Sequence, residues 1–157
     1  MDDLLDRSRA FDAPRAEVEL YRRIVRHLVA DEARILAALA DGSASPLVNI
    51  YARPLPGAKR HPVLVNACLI GRTARVASPR STPSYVSNLL ALGLVEIGSE
   101  MPTLEAEYQV LSLELEVIDA VRVARRRPFS GQVERRSLQL SHLGYRLWAA
   151  SRRDSCG

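Results

Sequence analysis

YVSNLLALGLVEI, Tyr85 to Ile97, decides how the rest of this chain is read. Tyr85, Val86, Leu89 and Leu90 recur at helical spacing, Gly93 stands where a helix needs a left-handed residue to stop, and LVEI leaves at once as a short strand. Just upstream, Thr82 is placed to act as N-cap with Pro83 at the first helical position. Helix, glycine stop and immediate strand punctuate a recognition-type helix that runs into a wing. The expected fold is therefore α+β and winged-helix-like, mostly helical with a small antiparallel sheet.

Before that segment, LVNIYAR (Leu47 to Arg53) and VLVNACLIGR (Val63 to Arg72) are rich in β-branched and apolar residues. They read as a strand pair inserted before the recognition-type helix. The linker between them, PLPGAKRHP, holds three prolines and a glycine and forms a basic loop at the tip. Earlier still, Asp12 is placed to cap an amphipathic helix bearing Val18, Tyr21, Ile24, Val25 and Leu28. Asp31 is placed to cap a second, with Ile35, Leu36 and Leu39 on its apolar face and Gly42 at its end.

After the segment, Thr103 is expected to cap the longest helix, about Leu104 to Arg126. Its stripe is Tyr108, Leu111, Leu115 and Ile118, widened by Val110, Val117 and Val121. Acidic residues fill its first turns and arginines its last, which suits the helix dipole. The alternation in QVLSLELEV admits a strand instead, but length and end charges favour the helix. RRSLQLS (Arg135 to Ser141) reads as a strand returning beside LVEI. Ser141 then caps a final helix with Leu143, Leu147 and Trp148 facing inward. The expected organisation is a loose arm over residues 1–13, one domain over 14–151 and a polar tail over 152–157.

Hydrophobic residues make up 47% and charged residues 25%, which places the chain among globular domains rather than disordered ones. No run approaches the roughly 18 apolar residues a spanning helix needs, so no membrane partner is expected. The first residues mix charge signs without an apolar centre, which is not a signal peptide, so a cytoplasmic protein is expected. Cys68 and Cys156 lie far apart and read as one buried and one exposed thiol.

Chemistry is sparse. No glycine loop has phosphate-binding spacing, and His27, His61 and His142 are isolated, so no metal or cofactor is expected. Glu114 and Glu116 point to different helix faces and form no carboxylate dyad. With no small-molecule substrate and no enzyme activity indicated, the charge pattern carries the functional argument. From Gly42 to Val95 there is no acidic residue, whereas from Glu96 to Val121 there is no Lys or Arg. Such segregation implies a surface of opposed potentials, suited to a protein partner or a homodimer as readily as to nucleic acid. The candidate contacts are Arg72, Arg75, Arg80, Ser84, Ser87, Asn88, Arg122, Arg125, Arg126, Arg127, Arg135 and Arg136. RVARRR at a helix end suits phosphates, and equally suits dipole compensation. The outer face of the recognition-type helix offers only Ser84, Ser87 and Asn88, which is thin for base reading and favours protein contact.

DEARILAAL (Asp31 to Leu39), YVSNLLALGLVE (Tyr85 to Glu96) and LSHLGYRLWAAS (Leu140 to Ser151), with the strand pair between the first two, resemble the Abi-alpha family. That family is a domain of unknown function linked by name to abortive infection, in which a phage-infected bacterial cell is sacrificed. The resemblance spans about Val18 to Ser151. It implies a phage-defence interaction module and brings no catalytic residues; a winged-helix DNA-binding regulator is the alternative. Relatives carry a longer helical region before the first matching stretch than precedes Asp31 here, so an activity residing in that region would be missing.

Overall fold

The structure, a computed structural model, describes residue 1 and residues 13–154. The chain divides into two compact units, Met1–Ala30 and Asp31–Gly157. In the first, helix α1 spans Ala13–Arg26, where the apolar spacing placed it. Most of the arm expected over residues 1–13, and the last residues of the expected tail, lie outside the described residues.

Helix α2 (Ala30–Leu39), which lies in the second unit from Asp31 on, stops at a tight turn in which the Gly42 amide donates to the Leu39 carbonyl, with Gly42 at φ 88°. Asp31 lies inside α2, and its carboxylate reaches across the fold. It accepts from the Ala77 and Ser78 amides at 3.0 and 3.3 Å and pairs with Arg34 at 3.0 Å. The expected cap thus ties α2 to a distant loop.

Strand β1 (Ser45–Arg53) and strand β2 (His61–Cys68) form the expected pair, with bulges about Ile50 and a positive φ at Asn66. The second strand is shorter than the run to Arg72 suggests. The backbone turns at Leu69, and Ile70–Thr73 make a helical turn, α3. Packing is the reason: a Cβ on Gly71 would lie 2.0 Å from Thr82 Oγ1, so the chain presses against the buried Thr82 there. A 3-10 turn (Pro79–Ser81) leads into helix α4 (Thr82–Ala91). The N-cap position belongs to Ser81, not Thr82, and no side-chain cap bond is made. At the far end Gly93 has φ 70°, and the Leu94 amide donates to the Leu89 carbonyl, the closure expected of a glycine stop.

Strand β3 (Val95–Gly98) and a 3-10 turn (Pro102–Leu104) follow. The expected long helix is two helices, α5 (Glu105–Ser112) and α6 (Leu115–Ala124). Between them the Leu113 and Glu114 amides donate to the Val110 and Leu111 carbonyls, and Glu114 is extended at ψ 135°. One extended residue resets the helical phase. The apolar face of α6 is therefore Val117, Ala120 and Ala124, while Leu115 is 78% exposed and Ile118 36%.

Strand β4 (Ser130–Leu140) is longer than the predicted RRSLQLS. It pairs antiparallel with both β1 and β3, giving the order β2-β1-β4-β3. The strand pair is thus continuous with the rest of the sheet instead of an appendage. Helix α7 (His142–Asp154) begins as expected, with the Gly144 amide donating to Ser141 Oγ at 3.0 Å, and it continues through Arg152 and Arg153. Gly144 lets α7 lie against the β3 entry, since a Cβ there would sit 2.1 Å from the Leu94 carbonyl oxygen.

Alternation along β1 divides the core. Val48, Ile50 and Ala52 face α5 and α6 and pack with Ala67, Tyr108, Leu111, Val117, Ala120 and Ala124. Among the described residues no helix is long and apolar enough to cross a membrane.

Candidate functional site

The charges that are segregated along the chain meet in space. Arg72, from the acid-free stretch, pairs with Glu114 at 2.7 Å, and Arg135 bridges Glu100 at 3.2 Å and Glu105 at 2.9 Å. Arg122 pairs with Asp119 and Arg136 with Glu134, each at 3.0 Å. These pairs cancel much of the opposed potential that the sequence implies. The two basic stretches, moreover, stand at opposite ends of one helix. Arg72 sits at the start of α6, through Glu114, and Arg125 follows its end, so a ten-residue helix of roughly 15 Å separates them.

Helix α4 offers little to a partner. Asn88 Nδ2 donates to the buried Glu32 carboxylate at 2.8 Å. Ser87 Oγ donates to the Pro83 carbonyl and accepts from Asn66 Nδ2. Of the three polar side chains expected to reach out from this helix, only that of Ser84 makes no hydrogen bond among the described residues. Arg75 and Arg80 are exposed before the helix, and Arg75 has a positive φ of 52°.

The opposite face of β1 carries a polar network. In register, Asn49 opposes Glu134 and Tyr51 opposes Gln132. Asn49 Nδ2 donates to Glu134 Oε2 at 3.4 Å, and its Oδ1 accepts from the Asn66 amide at 2.8 Å. Arg60 lies 4.2 Å over the Tyr51 ring and 3.7 Å from Glu134. The Arg136 hydrogen bond is the main reason the Glu134 carboxyl is held below its ordinary range, with Asn49 and Arg60 adding to it. Asn49, Tyr51, Arg60, Asn66 and Glu134 are absent from the sequence-derived candidates. The alternation in LVNIYAR is a visible signal for two of them, but their partners appear only once β1 and β4 are paired.

On the covered face, a groove of about 350 Å³ is lined by Val48, Tyr108, Val117, Val121 and Val133, with Glu100 and Arg135 at its rim. The Tyr108 hydroxyl donates to the Arg136 carbonyl at 2.7 Å, and Ser112 Oγ donates to the Gln109 carbonyl at 2.7 Å. Both hydroxyls thus spend their protons on backbone carbonyls. Burial pushes the Cys68 thiol up to about 12, which leaves it protonated at neutral pH. Among the described residues, no group of three His, Cys, Asp or Glu side chains is placed to hold a metal ion.

Two exposed features stand apart from this paired chemistry. At the α5–α6 break, Leu113 and Leu115 are 73% and 78% exposed, beside the exposed Val110 and Ile118. At the end of the sheet where β1 finishes and β2 and β4 begin, Arg53, Lys59, Arg125, Arg126 and Arg127 gather.

A protein from the hydrocarbon-degrading marine bacterium Alcanivorax borkumensis SK2, described only as uncharacterized, has a similar structure. It is 28% identical, with a TM-score of 0.68 over 88% of this chain and 96% of that one. No curated protein matches the chain. The family model for abortive infection alpha matches residues 1–151, reaching further toward the N-terminus than the stretches that first carried the likeness. The chain belongs to the abortive infection alpha family.

Proposed function

We propose that the chain is a non-catalytic interaction module of an abortive-infection response, and that it docks a protein partner at the α5–α6 break. The carrying observation is the exposure of Leu113 and Leu115, which at 73% and 78% stand further into water than any other large apolar side chain among the described residues apart from Met1. Each leucine offers about 1.5 to 3 kcal/mol when a partner buries it fully. Val110 and Ile118 widen the ridge on either side of the break.

The charges around the ridge indicate the partner's chemistry. The ridge lies in the stretch Glu96 to Val121, which contributes acids and no cation of its own. Glu107 and Glu116 flank it, exposed and without an ion pair among the described residues. A symmetric dimer through this ridge would bring two acidic rims together, which electrostatics opposes. A different chain, apolar at its centre and basic at its edge, fits better than a second copy. Duplex reading through α4 has less support, because Ser87 and Asn88 are already engaged within the protein.

Replacement of both leucines by serine (Leu113→Ser with Leu115→Ser) tests the proposal. In bacteria challenged with phage, the wild-type chain is expected to lower plaque numbers and the double variant to lose that effect. Its melting temperature should not change, because both side chains are already in water. Equal protection by the double variant would remove the ridge from the mechanism. Failure of the wild type against a broad phage panel would remove the defence setting itself.

A further inference from the structure

Two groups of cations in the second unit differ in their surroundings. Arg34, Arg60, Arg72, Arg122, Arg135 and Arg136 each face a carboxylate within the fold. Arg53, Lys59, Arg125, Arg126 and Arg127 face none among the described residues, and all five fall at one end of the sheet. The topology puts them there. Arg53 ends β1 directly opposite Ser130, the first residue of β4, and Ala52 opposes His61 at the start of β2. Lys59 therefore sits in the loop over this end. Arg125 to Arg127 lead into β4 from α6, with a Cβ on Gly131 only 2.7 Å from Arg125 Cγ. Residues 50–62 and 120–133 contain no Asp or Glu, so nothing in either approach offsets these charges. Arg53 is the sharpest instance: its Nε is buried without a hydrogen-bond acceptor, although buried polar groups are nearly always paired.

Beside the cations lie rings and amides. Phe129 is 38% exposed, next to Arg127 and Pro128. Tyr51 and Gln132 oppose each other one pleat in from Arg53, on the same sheet face, and Asn49 follows one pleat further. Arg60 and Arg136 share the single carboxylate of Glu134, so that trio adds positive charge as well.

We propose that this end of the sheet binds single-stranded nucleic acid. The unpaired cations hold the sugar–phosphate backbone, and the exposed Phe129 ring, with the exposed Gln132 amide near it, receives an unstacked base. A single strand fits better than a duplex. Groove reading needs a protruding element with free polar side chains, whereas a strand needs a basic track with aromatic platforms. An anionic membrane would use the same cations. It would gain nothing from the exposed Gln132 amide, which can bond a base edge. This surface is separate from the ridge at Leu113 and Leu115, so either can fail without the other.

The test is fluorescence anisotropy of the full chain with a labelled single-stranded oligonucleotide, a duplex of the same sequence, and vesicles of phosphatidylglycerol and phosphatidylcholine. Binding to the single strand is expected to be tightest. It should weaken with salt at a log–log slope that reflects about 0.7 per neutralised phosphate. The triple replacement Arg125→Gln, Arg126→Gln, Arg127→Gln should flatten that slope and abolish measurable binding at moderate salt. Arg75→Gln with Arg80→Gln, which removes two unpaired cations elsewhere, should leave it unchanged. Phe129→Leu keeps the apolar contact and removes the ring, and should weaken binding roughly five- to a hundredfold. Absent binding at low salt, equal or tighter binding to the duplex, or binding to vesicles alone would each overturn the proposal. An equal loss in the Arg75 and Arg80 variant would overturn it too, by showing diffuse attraction.

Discussion

Ile50 and Tyr51 are neighbours on β1 and occupy different surroundings. Ile50 is fully buried against α5 and α6, whereas Tyr51 lies half-buried under the Arg60 guanidinium on the polar face. One face of the sheet is closed by helices and built of apolar contacts. The other is held, away from α4 and α7, by hydrogen bonds and charge. Strand alternation alone separates the two, which teaches that the stability of this fold and its available chemistry sit on opposite sides of the same residues.

The largest effect is therefore expected at Ile50. Ile50→Ala removes a wholly enclosed side chain and should cost about 2 to 5 kcal/mol. Tyr51→Leu should cost only about 0.5 to 1 kcal/mol, the scale of an exposed cation–π contact. Urea unfolding midpoints at unchanged slope measure both. Similar losses from the two would break the comparison, by showing that the polar face is as tightly packed as the covered one.

Next comes Tyr108, where the covered face holds one polar anchor. Its hydroxyl donates to the Arg136 carbonyl and accepts from the Met101 amide. Tyr108→Phe keeps the ring and removes both bonds, for an expected cost of about 1 to 2 kcal/mol. A stability indistinguishable from wild type would mean that the apolar ring alone fixes α5 to the sheet.

How far the sequence discloses this arrangement depends on the range of the interactions. The α4 stop at Gly93 and the Ser141 cap are both legible, because a glycine at positive φ and a hydroxyl bonded three residues ahead are local events. The stripe through Leu115 and Ile118 is misread, since one extended residue at Glu114 changes the helical phase and no proline or glycine marks it. Asp31 has the composition of a helix cap, yet its acceptors are used by Ala77 and Ser78, and only the folded chain brings those amides near. The site divides in the same way. Arg125 to Arg127 stand out in the sequence, but Arg53 and Lys59 join them only through strand register.

Acid sharpens the contrast between local and long-range ties. The Asp31 carboxyl is held below its ordinary 3.8, first by the Ala77 amide, and Glu134 below 4.5, first by Arg136. A carboxyl depressed in the folded state stabilises fully above its unfolded value and loses that contribution as pH falls through the folded one. Stability should accordingly decline below about pH 4.5 and continue to fall past 3.8. Asp31→Asn should lower stability at neutral pH and flatten the lower part of that decline, and Glu134→Gln the upper part. Parallel curves for wild type and both variants would show that neither carboxyl is linked to folding.

The smallest effect belongs to the pairing that crosses the segregated charges. Arg72 and Glu114 are 2.7 Å apart, but their side chains remain 69% and 33% exposed. Water screens such a pair and two flexible side chains must be ordered to make it, so the coupling should be about 0.2 to 1 kcal/mol. A double-mutant cycle with Arg72→Ala and Glu114→Ala measures it, and the coupling should shrink further in high salt. A value several times larger would make the cross-pairing a foundation of the fold. A small one leaves it the role of cancelling field. The opposed charges of the sequence would then largely neutralise each other around α6, and the unpaired arginines at the sheet end would be a cluster of cations left free to act on something outside the protein.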